Sequence, residues 1–251
     1  MIEDLSLNAW PSWQMQVYDG WILRFSHFYT HRTNCVEQIG LSQLPLPEKI
    51  AYCEDVYHWW KSPCVFKIQP LSDPALDALL DGRGYAIEHE TIVMLRDLRE
   101  LPAPRKLRDI YTLRVRPHTS RAWIDGLFRL KGGASQLHRR IVPQMYAAVP
   151  KDEIAVSVHA GGELIATGLG IIDRDVVGVY AIHTDERCRR EGVAGAVVRT
   201  ILEKAKQRGA ANAYLQVVSD NAPAKALYRG LGFTDSYRYY FRTERSQRQG
   251  G

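Results

Sequence analysis

The sequence has few cysteines and no long apolar segment. Its 251 residues include four cysteines that form no C-x-x-C pair and no regular framework: Cys35, Cys53, Cys64 and Cys188. Isolated cysteines are typical of free thiols in a reducing compartment. No apolar run approaches the roughly 20 residues that span a bilayer, and residues 1–4 are acidic where a signal peptide is basic. We therefore expect a cytoplasmic protein without a membrane partner.

Metal-ligand clusters are also missing from the sequence. His27 and His31 stand four residues apart in an aromatic-rich, strand-like region, and no further ligand accompanies them there. A zinc site takes three or four protein ligands. The sequence therefore predicts no metal.

Charge is unevenly distributed along the chain. Residues 1–100 carry 8 Lys and Arg against 14 Asp and Glu, whereas the whole chain has a net charge of +5. The basic remainder includes an arginine-rich end at Arg238, Arg242, Arg245 and Arg248. A basic surface attracts polyanions, either phosphorylated cofactors or nucleic acids. A cofactor accounts for this charge without nucleic acid, and a basic RNA- or DNA-associated protein stays a weaker alternative.

The segment 189–194 joins a predicted strand at 176–182 to a predicted helix. Apolar residues then recur at helical spacing up to Gly209, a natural C-terminal cap. They are Val193, Val197, Val198, Ile201, Leu202 and Ala205. Free backbone N–H groups and the positive end of the helix dipole attract anions at such a helix start. Gly192 lets a phosphate approach the backbone, so the loop predicts a pyrophosphate site.

The chain continues with a strand, a second helix and a third strand. An apolar run at 213–218 is followed by the polar capping cluster 219–223, which opens the second helix. That helix ends at Gly232-Phe233, and alternating apolar residues follow at Tyr237, Tyr239 and Phe241. The predicted order is strand, phosphate loop, helix, strand, helix, strand.

Two motifs in this region resemble those of the GNAT superfamily of N-acetyltransferases. They are Arg189-x-x-Gly192-x-Ala194 and Asn221-x-x-Ala224-x-x-Leu227-Tyr228-x-x-Leu231-Gly232-Phe233. The resemblance is strongest over 153–243 and extends back to about residue 107, where 111–116 supplies a first strand. It implies an α/β (α+β) fold with a mixed sheet, the GNAT acyl-CoA N-acyltransferase fold, and a catalytic domain over 107–245.

The resemblance implies acetyl-CoA as cosubstrate. In that family the loop N–H groups bind pyrophosphate, strand backbone next to the loop contacts the pantetheine arm, and Asn221 matches a cofactor contact. The implied cofactor-binding residues are His183, Thr184, Asp185, Arg189, Arg190, Glu191, Gly192, Val193, Ala194, Gly195, Asn221 and Tyr228. For the side chains of Arg189 and Arg190, phosphate contact and plain solvent exposure stay equally open.

The resemblance also implies catalytic side chains. Tyr228 occupies the family position whose phenol protonates the departing thiolate, with core packing as its alternative. The base is open between His183 and Tyr180, the titratable side chains of the strand, with Asp185 and Glu186 at its end. Family members with a mid-strand carboxylate differ here, because this strand has Gly178 in the middle.

Residues 1–100 are predicted to form a degenerate GNAT-like module. Asp19-Gly20 predicts a hairpin turn, and the helix that opens at Asp73-Pro74 echoes the one at Ala222-Pro223. Two elements are missing: residues 40–45 contain no Arg-x-x-Gly, and Leu80 stands where Tyr228 does. The opening resembles a bacterial GNAT subgroup with this two-part layout. The module is interpreted as a structural partner, or alternatively as a wall of the acceptor site.

These observations together predict an acetyl-CoA-dependent N-acetyltransferase. It would move an acetyl group to a primary amine of a small molecule or peptide by direct attack in a ternary complex, as a monomer or homodimer. A non-catalytic CoA-binding or ligand-sensing module is the alternative, since the phosphate loop would look the same.

Overall fold

The computed structural model describes residues 2–101, 103 and 106–245. The chain forms two compact units, each assembled from segments that are distant in sequence. Unit 1 consists of the described residues within 1–11 and 93–236, and unit 2 of those within 12–92 and 237–245. The predicted modules 1–100 and 107–245 are continuous segments and do not coincide with these units; the modules stay a prediction.

The described part of the chain contains eleven strands and seven α-helices. The strands are β1 (Gln14–Tyr18), β2 (Trp21–Phe25), β3 (Val36–Gln38), β4 (Val65–Ile68), β5 (Ala86–Asp97), β6 (Tyr111–Arg116), β7 (Asp152–Ala160), β8 (Glu163–Asp173), β9 (Val176–Thr184), β10 (Asn212–Val218) and β11 (Thr234–Thr243). The helices are α1 (Ile2–Ala9), α2 (Leu46–Trp59), α3 (Pro74–Gly82), α4 (Arg121–Leu130), α5 (Gln136–Ala147), α6 (Val193–Gln207) and α7 (Ala222–Gly230). The mixed α/β class predicted from the sequence is confirmed.

Unit 1 is built on a mixed sheet with the strand order β5-β10-β9-β8-β7-β6. Strands β6 to β9 pair antiparallel in sequence order, whereas β9 and β10 are parallel. Helix α6 lies close over β8: a Cβ atom at Gly170 would come within 2.5 Å of Ile201. Glycine on β8 therefore permits the close approach of this helix to the sheet.

Helix α6 follows the predicted apolar stripe. All six residues of the stripe are buried, and the helix ends one turn before Ala210, with Gly209 at φ +92°. Ala210 N–H donates to Ala205 O at 3.0 Å and Gly209 N–H donates to Lys206 O at 3.0 Å. The glycine closes the helix in the left-handed conformation, as its position in the sequence predicted.

Unit 2 has the strand order β1-β2-β3-β4-β11. The predicted hairpin is present, because Asp19 and Gly20 both have positive φ and join the antiparallel pair β1 and β2. Helices α2 and α3 supply Ile50, Tyr57 and Leu80 to its apolar core. No helix in the described residues is both long enough and apolar enough to cross a bilayer.

Candidate functional site

The loop between β9 and α6 adopts an alternating backbone conformation. Asp185 caps a 3₁₀ turn at Glu186–Cys188 by accepting from Arg187 N–H at 3.0 Å. Arg190 (φ +64°) and Gly192 (φ +82°) are then both left-handed, and Gly192 is the N-cap of α6. Left-handed residues in such a loop make successive N–H groups converge on a concave, anion-binding surface.

The backbone N–H groups of residues 190–195 have no acceptor in the described part of the chain. The first intrahelical bond of α6 is donated by Ala196 N–H to Gly192 O at 3.0 Å. Within the described part of the chain, no protein acceptor receives a hydrogen bond from the six N–H groups that precede it. Unpaired N–H groups together with the positive end of the helix dipole make this loop a candidate anion site.

Side chains of the loop differ in their availability. Arg189 pairs with Glu186 at 2.8 Å. Glu191 accepts from Tyr111 Oη at 2.6 Å and from Arg108 Nη1 at 2.9 Å, and these hydrogen bonds lower the pKa of its carboxyl. Arg190 is exposed and has no side-chain partner among the described residues. Arg190 is thus the loop arginine whose side chain can reach an anion without breaking an ion pair.

Strands β9 and β10 separate next to this loop. Their parallel pairing runs from Asn212 opposite Val176 to Leu215 opposite Val179 and stops there. Both strands continue beyond this point, β9 to Thr184 and β10 to Val218. The sheet therefore opens on the side of the loop, and the edge of β9 that faces β10 is left without backbone partners from β10 there.

A β-bulge accompanies the separation. The register of β8 against β9 shifts between Thr167 and Leu169, and Ala181 has φ +51°. Thr167 Oγ1 donates to Ala181 O at 2.9 Å, which holds the bulge in place. Beyond it, the hydroxyl of Thr184 is enclosed without a hydrogen-bond partner among the described residues. An enclosed orphan hydroxyl at the end of β9 is a binding group left unused by the protein.

The two candidate bases differ in environment. His183 is half-buried, and burial together with the nearby charge of Lys131 lowers its pKa to about 4. His183 is therefore neutral at pH 7 and can accept a proton only weakly. The hydroxyl of Tyr180 is hydrogen-bonded to that of Tyr214. Sequence reasoning missed Lys131 and Tyr214, because both lie on other elements of the fold.

The space beside Gly178 explains why β9 has no mid-strand carboxylate. A Cβ atom at Gly178 would lie 2.6 Å from the Tyr180 ring and 2.8 Å from the Tyr214 ring. The two tyrosines occupy the room that a longer side chain would need. Asp185 does not replace it as a base: its hydrogen bonds from the Arg187 side chain and backbone lower its pKa to about 2.

Tyr228 lies on α7 with its side chain 9% exposed, packed edge-on against Phe233. Burial raises the pKa of its phenol to about 12, and the hydroxyl has no partner among the described residues. Helix α7 is close to the loop, since a Cβ at Gly195 would lie 3.5 Å from Leu227 Cδ1. Asn221 caps α7 by accepting from Ala224 N–H at 3.1 Å, so its carboxamide oxygen has a structural task.

The expectation that no ligand accompanies His31 is wrong. The structure places Glu88 and His89 next to it, in unit 2. These residues are 57 and 58 positions away in the sequence, so spacing alone gave no signal for them.

The split pair of strands, the free loop amides and the mixed sheet define the fold of the GNAT superfamily of N-acetyltransferases. A GCN5-related N-acetyltransferase from Kribbella flavida superposes with a TM-score of 0.72 at 17% identity, over 100% of this chain and 95% of that one. A tandem GNAT protein from the clavulanic acid biosynthesis pathway superposes with a TM-score of 0.66 at 12% identity, over 84% and 74%.

Sequence comparison specifies the family within that class. The family described as "Probable histone acetyltransferase Rv0428c C-terminal" matches residues 1–242, so the chain belongs to this family. The uncharacterized N-acetyltransferase YobR of Bacillus subtilis (strain 168) is 25% identical over 244 residues, which cover 97% of this chain and 98% of YobR. The similarity includes both units rather than the loop region alone.

Proposed function

We propose that this protein transfers an acetyl group from acetyl-CoA to a primary amine of a small molecule or peptide, by direct attack in a ternary complex. The observation that carries the proposal is the set of free N–H groups at 190–195, placed where β9 and β10 separate. A pyrophosphate supplies the anion that these groups lack, and the open strand edge beside them suits an amide-bearing arm.

The residues present fit two parts of acetyl-CoA, the pyrophosphate and the pantetheine arm. Pyrophosphate oxygens accept from the N–H groups of 190–195, with Gly192 allowing close approach and the Arg190 side chain adding charge. Arg189 and Glu191 contribute their backbone, because their side chains are engaged elsewhere. The pantetheine amides pair with the backbone within 183–185 on the open edge of β9, at Thr184 in particular, because Asp185 N–H already donates to Ile165 O at 2.8 Å.

Tyr228 is proposed as the proton donor to the departing sulfur. The thioester supplies an activated acyl group, and the leaving thiolate needs a proton once the amine has attacked. A phenol with a pKa near 12 keeps its proton at neutral pH, so the O–H is available when charge develops. A backbone N–H next to His183 or Thr184 stabilises the oxyanion.

The route of the amine proton is proposed to run through His183, with Tyr180 as the second candidate. Since the pKa of His183 is about 4, this ring is neutral but a weak base. It serves by accepting a hydrogen bond from a water that takes the amine proton and passes it to solvent, and not by holding a full proton itself. We therefore expect the acidic limb of the rate profile near neutral pH to follow the ionisation of the amine itself.

The test is release of CoA thiol on mixing the full chain, acetyl-CoA and a panel of primary amines, with the acetylated product identified by mass. We expect thiol release that requires the amine. Amine-independent thiol release would contradict direct attack, because it indicates an acyl-enzyme or plain hydrolysis.

A non-catalytic CoA-binding module is the second candidate. The observation that favours it is the missing carboxylate at Gly178, together with a histidine that is a weak base. It predicts calorimetric binding of acetyl-CoA without thiol release for any amine in the panel. Turnover that falls in a Tyr228→Phe variant would exclude it.

The remaining expectations stay predictions. They are a structural role for residues 1–100 beside a catalytic 107–245, cytoplasmic location, a monomer or homodimer, and no dependence on nucleic acid. Size-exclusion chromatography with light scattering decides the oligomeric state. Activity that is unchanged by nuclease treatment supports the last of these.

A further inference from the structure

Three metal-ligating side chains converge in unit 2, outside the proposed acetyl-transfer site. His31, Glu88 and His89 each offer one ligand atom, and these atoms all lie within 4.8 Å of one another. His31 Nε2 is 3.2 Å from Glu88 Oε2, and the rings of His31 and His89 have centroids 4.4 Å apart. Two ligand atoms that each lie about 2 Å from one tetrahedral ion are about 3.3 Å apart, and His31 Nε2 and Glu88 Oε2 already have this spacing.

The backbone brings two consecutive residues to the same place. Glu88 and His89 are neighbours in β5, and successive side chains of a regular strand point to opposite faces. His89 has φ +51°, the left-handed region, which breaks this alternation. Thr91 Oγ1 donates to His89 O at 2.8 Å and supports the distorted turn of the strand. The strained conformation therefore places both ligand-bearing residues next to His31.

Neighbouring side chains of unit 2 position two of the three ligands, His31 and Glu88. His31 lies in a 3₁₀ turn, His31–Thr33, and its ring packs against Phe28 and Phe241 with centroids 5.8 Å and 5.3 Å away. Glu88 Oε2 accepts from Thr243 Oγ1 at 2.9 Å. Hydrogen bonds of this kind orient a ligating carboxylate and strengthen metal binding.

We propose that His31, Glu88 and His89 bind one divalent transition-metal ion, Zn²⁺ in the first instance. Two imidazole nitrogens and one carboxylate oxygen are the donor set that Zn²⁺ shares with other borderline ions, whereas Ca²⁺ and Mg²⁺ prefer oxygen alone. His89 and Glu88 are exposed, so water completes the coordination. The ion would connect the 3₁₀ turn to β5.

Calorimetric titration of tag-free, chelator-treated full-length protein with Zn²⁺ tests the proposal, with Co²⁺ absorption as a second readout of coordination geometry. We expect one ion per chain. His89→Asn should weaken binding by at least about 100-fold, since even a residue that only orients a ligand costs 10–100-fold. Asn tolerates the left-handed region, so the backbone of β5 is preserved. Thr243→Val should weaken binding by about 10-fold.

His58→Asn is the matched control. His58 also belongs to unit 2 and pairs with a carboxylate, Glu244, at 2.8 Å, but it is not part of the cluster. We expect unchanged Zn²⁺ affinity in this variant, with circular dichroism confirming that each variant is folded. The proposal is overturned if the wild-type protein binds no Zn²⁺ below millimolar concentration, or if His58→Asn and folded His89→Asn weaken binding equally.

Discussion

Two helix starts, one in each unit, show what an anion site requires. In unit 1 the amides of residues 190–195 precede α6 and donate to no protein acceptor in the described chain. In unit 2 residues 40–45 precede α2, and there Asp19 supplies the anion internally. Its carboxylate accepts from Gln43 N–H at 3.0 Å and from Leu44 N–H at 3.0 Å.

Two further features of unit 2 make the start of α2 unavailable to an external anion. Pro45 is the N-cap of α2 and Pro47 lies in its first turn, and proline has no N–H to offer. Lys49 forms an ion pair with Asp19 at 3.1 Å. The pKa of the Asp19 carboxyl is lowered, mainly by the backbone hydrogen bonds that it accepts from Leu44 and Gln43. A carboxylate already bound in this place leaves no room for a phosphate.

A strand followed by a helix is therefore not enough to make a cofactor site. Both units lead the chain into a helix after a strand, but only one leaves the first-turn amides unpaired. The second difference concerns the following helix, where unit 1 has Tyr228 and unit 2 has the buried, apolar Leu80. Unit 2 therefore lacks both the anion site and the proton donor that we propose for unit 1.

The largest effect is expected from closing the free loop of unit 1. Gly192→Glu brings bulk and a negative charge into the amide cradle, as Asp19 does in unit 2. We expect the Kd for acetyl-CoA to rise by at least about 100-fold, or about 2.7 kcal/mol. The measurement is calorimetry on folded protein.

Gly209→Glu is the control for this change. Gly209 is also left-handed, at φ +92°, but it lies at the other end of α6, where a Cβ meets nothing within 4 Å. The backbone strain is comparable in the two variants. Equal loss of affinity in both would assign the effect to strain and contradict the amide cradle.

The second contrast is between two phenols whose pKa is raised by burial, one in each unit. Tyr228→Phe should lower kcat by about 100-fold, the scale of general acid catalysis, and leave the Kd for acetyl-CoA within about threefold. Tyr29→Phe removes a phenol of unit 2 whose pKa burial also raises to about 12, and we expect it to leave kcat unchanged. Thiol release measures both. A similar kcat in the two variants would remove Tyr228 from the mechanism.

A pH effect is expected from His183 in unit 1. Its folded pKa of about 4 lies below the usual 6.5, so the unfolded chain binds more protons between these values. Stability is therefore fully present above pH 6.5 and is lost as the pH falls towards 4. After allowance for partial exposure of the ring, the free energy of unfolding falls by about 1–2 kcal/mol over this pH range.

Urea denaturation between pH 4 and 7.5 measures this effect, with His183→Gln as the reference. We expect the free energy of unfolding to depend less steeply on pH in the variant. Identical slopes for the two proteins would mean that His183 titrates normally and is not desolvated.

The smallest effect on cofactor binding is expected from opening the loop of unit 2. Asp19→Ala releases the amides of Gln43 and Leu44 and should lower the melting temperature of the protein. Because the two prolines still remove donors, we expect no second acetyl-CoA site, with calorimetry still giving one site per chain. A second site in this variant would show that Asp19 alone separates the two units.

The sequence predicted most of the elements whose apolar residues recur at a regular spacing or whose ends are marked by turn residues. Helix α6 and the hairpin of β1 and β2 were found because a buried stripe and an Asp-Gly turn have distinct patterns. No pattern indicated β7 and β8. Nine consecutive residues of β8 are buried, so its two faces do not alternate, and an unbroken apolar run does not identify a strand by period.

The part of the candidate site that depends on backbone conformation was predictable from the sequence. Gly192 marks the left-handed N-cap of α6, and glycine is the residue that signals such a position. Contacts between distant elements were not predictable: Lys131 beside His183, Tyr214 against Tyr180, and Glu88 beside His31 depend on tertiary placement. The sequence therefore indicated where the left-handed loop before α6 lies, but not the environment that sets the pKa of the candidate base.

Hydrogen–deuterium exchange with and without acetyl-CoA measures directly whether the loop amides of unit 1 bind the cofactor. If the loop amides of unit 1 bind the cofactor, exchange at residues 190–195 slows on addition of acetyl-CoA, while exchange at residues 40–45 does not change. Unchanged exchange at 190–195 under saturating acetyl-CoA, or protection at 40–45 instead, would contradict the account.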